Sequence, residues 1–328
     1  MLGTTTPNLS QIQHPVREHL DRVEGELRRI VLSDFPPVQE ISDHLLWSRG
    51  KLFRPTLLLL ANRVGDRPDP GAVTVAAIVE LVHLATLVHD DAVDHSVLRR
   101  GMPTVNALWN HQTAVIIGDY LYSRSVMELS RFGRTDLIDT LSRAANDMSV
   151  GELRQLVSHD ALSFTEQDYE RLISSKTASL MSAACELGAA LGVETLRGPL
   201  ARYGHALGMA FQIADDLLDY TENETVTGKP AGQDLREHKM TLPLIRALQI
   251  MDESARAEVD AFFASPIATE AGIARMTELV ADHAGLEYAR ARADEFAGRA
   301  AETLAGIPGG EATEALRDAV HYVVDRRR

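Results

Sequence analysis

Cysteine is nearly absent from this chain: of 328 residues only Cys185 is one, and aromatic residues make up 5% with two tryptophans. A lone thiol excludes an internal disulfide and a cysteine-based zinc site, and it fits a reducing compartment, so cytoplasm is the expected location. Positive charge is scarce as well. With 33 Lys and Arg against 47 Asp and Glu, the net charge of −14 argues against a nucleic-acid partner, and an anionic ligand has to be held locally. Lysine is the rarest cation, present only as Lys51, Lys176, Lys229 and Lys239. Each lies close to Gly, Pro or Thr in a short polar segment, where a compact, strongly hydrated ammonium suits a phosphate group. The start, MLGTTTPNLSQIQHP, lacks the basic residues and apolar core of a secretory signal. Residues 1–12 read as a flexible tail ahead of one helical domain over 13–328. The longest apolar run, Ala72 to Val88, carries Glu80 and His83 and runs into an acidic cluster, so it reads as a buried core helix and not a membrane span.

Alternating polar and apolar residues are rare, whereas apolar residues recur at spacings of three and four nearly throughout. The expected fold is all-α, a single-domain bundle of roughly 12–13 helices around a central hydrophobic cavity. Helices are expected over 14–32, 36–48, 54–64, 71–94, 111–131, 135–158, 166–192, 196–222, 241–251, 254–264, 268–282, 284–304 and 310–325. Gly65 to Gly71, Arg100-Gly101-Met102-Pro103 and the polar stretch Thr227 to Gly232 supply stops between them.

What is present, twice, is Asp-Asp-x-x-Asp: Asp90-Asp91-Ala92-Val93-Asp94 and Asp215-Asp216-Leu217-Leu218-Asp219. Residues four apart on a helix are only about 40° apart in projection, so Asp90 with Asp94, and Asp215 with Asp219, form carboxylate pairs. Such pairs repel, and a hard divalent cation offsets the repulsion by taking oxygen ligands from both. Both clusters close long apolar helices, where the macrodipole disfavours carboxylates, so stability does not explain them. Packed side by side, the two helices would present facing acidic mouths above an apolar shaft, a shape suited to an amphiphile with a diphosphate head.

The further motifs stand in a fixed order. Gly50-Lys51-Leu52-Phe53-Arg54-Pro55 is followed by His83, seven residues before Asp90, and by the first aspartate cluster with Arg99-Arg100-Gly101 after it. Then come Gly118-Asp119, Gly151-Glu152-Leu153-Arg154-Gln155-Leu156, Lys176-Thr177-Ala178 and Phe211-Gln212-Ile213-Ala214-Asp215-Asp216. From about Leu45 to Leu244 this series resembles the trans-isoprenyl diphosphate synthases, or polyprenyl synthetases. The resemblance implies a Mg²⁺-dependent prenyltransferase that joins isopentenyl diphosphate to an allylic diphosphate, usually as a homodimer, with transient membrane contact on product release.

It also assigns residues. Asp90, Asp94 and Asp215 would hold the metal, three ions in the family's manner, with Asp91, Asp216 and Asp219 supporting them. Arg99, Lys176, Lys229 and Lys239 would contact the allylic diphosphate, and Gln212 and Thr177 would set dipoles near the allylic cation. Lys51, Arg54, His83 and Arg100 would hold isopentenyl diphosphate. Two positions depart from the family pattern, Arg49 and His238, each where a glycine is frequent. Below Asp90 lie Thr86 and Ala85, then Val82 and Leu81, none aromatic, so the shaft stays open to a growing tail. A long product of about 30–50 carbons is expected, serving a quinone side chain, and the resemblance of His83-Leu84-Ala85-Thr86-Leu87 to long-chain members points the same way. A deeper floor is expected on the next helix, in the region of Val115, Ile116 and Tyr122, with no one of them singled out. Other readings are a farnesyl or geranylgeranyl diphosphate synthase, a class I terpene cyclase, a regulatory subunit, and a phosphohydrolase built on His89-Asp90.

Overall fold

The computed structural model describes residues 7–47, 50–65, 68–157, 161–221 and 232–325. Seventeen α-helices occur among them: α1 Leu9–Gln13, α2 Arg17–Ile30, α3 Pro36–Trp47, α4 Phe53–Asn62, α5 Ala72–Val93, α6 Val105–Leu108, α7 His111–Ser130, α8 Thr135–Val157, α9 Glu166–Ile173, α10 Ser179–Leu191, α11 Arg197–Thr221, α12 Gln233–Arg236, α13 Leu242–Ile250, α14 Glu253–Ala264, α15 Glu270–Asp282, α16 Gly285–Leu304 and α17 Glu311–Asp325. The only strands described are β1 Leu98–Arg99 and β2 Met102–Pro103, a two-stranded hairpin in place of the simple turn expected there. Arg49 and Lys229 lie outside the described residues.

Spacing explains the layers. On α2, Leu20, Val23, Leu27 and Ile30 are buried one turn apart, the pattern of a surface helix with one apolar face. On α4, Leu57 to Leu60 are 0–1% exposed all round, so this helix lies in the centre, each leucine contributing roughly 1.5–3 kcal/mol by burial. The helix α5 is the one described helix long and apolar enough to cross a membrane, and 72% of its most apolar window is buried within the protein. It packs most closely on α7, while α11 packs on α10 and α16.

Two expectations need correction. The helices that carry the aspartates are not packed side by side, because α10 stands between them, lying on α11 along its length and touching α5 more lightly. Nor does the chain stay a tail up to residue 12. Asn8 caps α1 through a capping box, Ile12 is fully buried, and Gln13 Nε2 donates to the Lys51 carbonyl at 2.9 Å and to Thr56 Oγ1 at 3.1 Å. The N-terminal segment thereby braces the loop in front of α4.

Close approach between α5 and α7 depends on Gly118. A Cβ there would fall 2.2 Å from His89 Nε2, and that nitrogen donates to the Val115 carbonyl at 3.0 Å. Gly118→Ala is therefore expected to displace His89, the residue before Asp90. Melting should report a loss of about 1–3 kcal/mol, and turnover should fall with it.

Candidate active site

In the first cluster the three aspartates have three different surroundings. Asp91 is 6% exposed, and its two oxygens take Arg99 Nε at 2.8 and 2.9 Å, with Arg99 Nη2 at 2.8 Å from Oδ1. This fork locks the β-hairpin to α5. Asp94 is exposed and forms the C-cap of α5. Asp90 is buried enough that its carboxyl is pushed up to about 6, with the Lys176 ammonium, 3.7 Å away, pulling the other way.

The second cluster repeats this division. Asp215 is exposed, whereas Asp216 is 6% exposed and accepts the Tyr169 hydroxyl at 2.6 Å and Gln212 Nε2 at 2.7 Å. Burial, with Asp234 adding, raises the Asp216 carboxyl, and its two donors oppose the rise. Asp219 accepts the backbone N–H groups of Gln233 at 3.0 Å and Asp234 at 2.9 Å, so it caps α12 from a neighbouring helix.

A single turn of chain joins the clusters. Between α9 and α10, Ser174–Ala178 widens into a π-turn in which the Ser179 N–H reaches the Ser174 carbonyl. This bulge turns two successive side chains to different helices. Lys176 Nζ meets Asp90 and, at 2.5 Å, Glu152 on α8, while the Thr177 hydroxyl donates to Gln212 Oε1 at 2.7 Å. A second cation closes the other side. Lys239 pairs with Glu237 at 2.5 Å and feels Asp94 from one cluster and Asp234 from beside the other. Burial works against its charge, and these acids outweigh the burial, leaving its pKa raised. Asp234 itself is pushed up to about 7 by burial and by Asp219.

Below the hairpin lies a separate cationic nest. Glu80, 4% exposed on α5, lies within the electrostatic reach of Arg54 and Arg100. The Arg54 Nε is buried and has no hydrogen-bond partner among the described residues, and Arg100 crosses so near Gly50 that a Cβ there would stand 3.0 Å from its Nη1. Burial, reinforced by Arg54, Arg100 and Arg99, holds the His83 imidazole well below its usual 6.5, so it is neutral at pH 7. A neutral ring still donates one hydrogen bond. His83→Gln keeps such a donor and should leave the Michaelis constant for a diphosphate bound here within about twofold, whereas His83→Ala should raise it about tenfold. Because the folded protein refuses a proton that the unfolded chain accepts, wild-type stability should fall as pH drops below 6.5, and the Gln variant should lose that part of the fall.

One turn thus links a residue of each aspartate-bearing segment, Lys176 to Asp90 and Thr177 to Gln212, while other candidate residues depart from their expected places. Arg99 is committed in large part to Asp91, leaving less of its fork for a ligand than expected. His89 is turned toward α7, where its Nε2 donates to the Val115 carbonyl and stands 3.5 Å from Asp119 Oδ1, which leaves the pairing of His89 with Asp90 on one metal without support. Val115 is 38% and Ile116 65% exposed, so neither lines an enclosed floor in this chain, and Tyr122 is half-buried. Four residues given no role from sequence belong here: Glu80, Glu152, Asp234 and Tyr169. Glu152 stands in the Gly151 to Leu156 motif and Asp234 five residues before Lys239, so both left a signal. Glu80 showed only as a lone charge in the apolar run Ala72 to Val88, with nothing to give it a role, and Tyr169 left no signal, because a single aromatic on a helix carries no spacing of its own.

The polyprenyl synthetase family profile matches residues 36–280. The chain belongs to the polyprenyl synthetase family. A heptaprenyl diphosphate synthase component 2 from Geobacillus stearothermophilus is 37% identical over 311 residues, covering 94% of this chain and 96% of the relative. Among solved structures, a decaprenyl diphosphate synthase from Rhodobacter capsulatus superposes with a TM-score of 0.90 at 36% identity, covering 98% of this chain and 100% of that one. A Caulobacter crescentus polyprenyl synthase, solved with calcium and isoprenyl diphosphate, gives 0.92 at 32% identity over 99% of both chains. This polyprenyl synthetase is a prenyltransferase, all-α, acting on isoprenyl diphosphates with a divalent metal.

The carboxylates suit such a metal. Asp90, Asp94 and Asp215 offer only hard oxygen donors, and Asp90 is a half-buried acid with the Lys176 ammonium 3.7 Å away. Among the described residues no group of three His, Cys, Asp or Glu is close enough to hold an ion unaided. Substrate oxygens and water would complete the coordination, which is how Mg²⁺ is commonly held against phosphates.

Proposed function

We propose that this polyprenyl synthetase condenses isopentenyl diphosphate with an allylic diphosphate, repeatedly, to a product of about 30–50 carbons. The observation that carries the reading is the π-turn, which sets Lys176 against the first aspartate cluster and Thr177 against Gln212 beside the second. Asp90, Asp94 and Asp215 would hold Mg²⁺, three ions in this reading, and the bound metal would supply the positive charge that lets the diphosphate leave. Lys176 and Lys239, with Lys229, add charge-assisted contacts to that diphosphate, and Arg99 adds what its pairing with Asp91 leaves. The leaving diphosphate keeps the electron pair. Gln212 and Thr177 face the allylic cation with oxygen dipoles. The cationic nest of Arg54, His83 and Arg100, with Lys51 from the loop before α4, holds isopentenyl diphosphate so that its double bond attacks the cation, and the proton lost from the new chain goes to the departed diphosphate.

The tail has a path. Thr86 lies about 40° from Asp90 in projection, one turn down, and Ala85 lies equally close below His89, on the side that meets α7. Small side chains at both positions support a long product descending the α5–α7 seam. Exposed apolar residues support a homodimer: Ile116 at 65% and Met127 at 53% on α7, Leu153 at 60% and Leu156 at 50% on α8. Cytoplasmic location remains part of the proposal, with product release at a membrane and a quinone side chain as the end use. Incubating the purified chain with Mg²⁺, isopentenyl diphosphate and a set of allylic starters, then sizing the products, tests the whole. Failure to consume isopentenyl diphosphate with any starter would overturn it.

A further inference from the structure

The prenyl-transfer reading, on which this inference rests, puts Gln212 and Thr177 beside a developing cation. An amide or a hydroxyl there can aim either a lone pair or a proton inward, and only the lone pair stabilises positive charge. Hydrogen bonds that begin at Tyr169 on α9 make the choice. Tyr169 is 2% exposed, and its phenol O–H donates to Asp216 Oδ2 at 2.6 Å. Gln212 Nε2 donates to Asp216 Oδ1 at 2.7 Å, and Gln212 Oε1 accepts the Thr177 hydroxyl at 2.7 Å.

Polarity runs one way along this chain. A phenol has one proton to give, and a carboxylate that receives it at one oxygen draws the amide nitrogen of Gln212 to the other. The amide oxygen is then turned to Thr177, whose proton it consumes. What Thr177 has left for the cavity is lone pairs. We propose that Tyr169 is a positioning residue for prenyl transfer: by occupying one oxygen of Asp216 it fixes the amide of Gln212 and so makes Thr177 present oxygen lone pairs, and not its proton, to the allylic cation. Tyr169 does not touch substrate. It acts through two other side chains, from the helix that leads directly into the π-turn.

Without the phenol proton, a buried oxygen of Asp216 lacks a donor, and the way to relieve it is to re-aim Gln212, which frees Thr177 to rotate. The full chain carrying Tyr169→Phe, assayed with Mg²⁺, isopentenyl diphosphate and an allylic diphosphate, should lose roughly 10–100-fold in kcat while both KM values stay within about twofold. Thr177→Val should lose a similar factor, Thr177→Ser should retain most of the activity, and the double variant Tyr169→Phe with Thr177→Val should be no worse than the poorer single one. An unchanged kcat in Tyr169→Phe overturns the proposal. So do losses that multiply in the double variant alongside a lowered melting temperature, which mark Tyr169 as an anchor of α9 and nothing more. A wild-type chain that never consumes isopentenyl diphosphate refutes the reaction itself.

Discussion

Asp90→Asn and Asp215→Asn are each expected to lower turnover by about 10³-fold or more, since on the proposed reaction each would remove a charged ligand from the metal that would carry the leaving group's charge, a contribution of several kcal/mol. The same substitutions should not weaken the fold. Burial already pushes the Asp90 carboxyl up to about 6, so holding it ionised costs stability, and an amide of the same shape relieves that cost. Lys176 keeps its ion pair with Glu152 when Asp90 is replaced. Melting temperature should therefore hold or rise as activity disappears, the signature of a site strained for function. Retained turnover in either variant, with metal present, would remove the aspartates from the reaction. A loss of turnover that tracks a loss of melting temperature would make them structural.

Ala85→Phe should shorten the product by several isoprene units while turnover of the first condensations persists. Ala85 is 3% exposed, small, and on the side of α5 that meets α7. If the seam there is the tail's path, a benzyl group fills space that the product needs, and the folded protein loses little. If the seam is solid packing, the same change overpacks it, and stability drops by about 1–3 kcal/mol with no change in product. Product sizing together with a thermal melt separates the two. An unaltered product distribution, or a wild-type enzyme that stops at fifteen carbons, would refute the long-chain reading.

Much of the fold was legible because a helix is a local decision. The spacing predicts helices over 71–94, 135–158 and 284–304, and the structure has Ala72–Val93, Thr135–Val157 and Gly285–Leu304. The candidate residues were legible for a related reason, since charge in an apolar run has no structural excuse and a fixed motif order is read without coordinates. The expected helix over 166–192, however, hides the π-turn at Ser174–Ala178, which nothing in its spacing betrays.

His238 shows the boundary between the two kinds of information. The frequent glycine at that position reads from sequence as a departure of unknown weight. In the structure its backbone is left-handed, φ 51°, which explains the glycine, and its ring packs against both Phe262 and Phe263. Sequence by itself determined the helices, the two acidic clusters and the reaction class they resemble, because periodicity and charge placement are properties of neighbours along the chain. Tertiary structure alone decided that α10 separates the two aspartate helices, that one widened turn bridges them, and that Arg99 and Tyr169 each hold the second aspartate of a cluster. Those outcomes depend on which side chains meet across distant segments, and distance along the chain carries no record of such meetings.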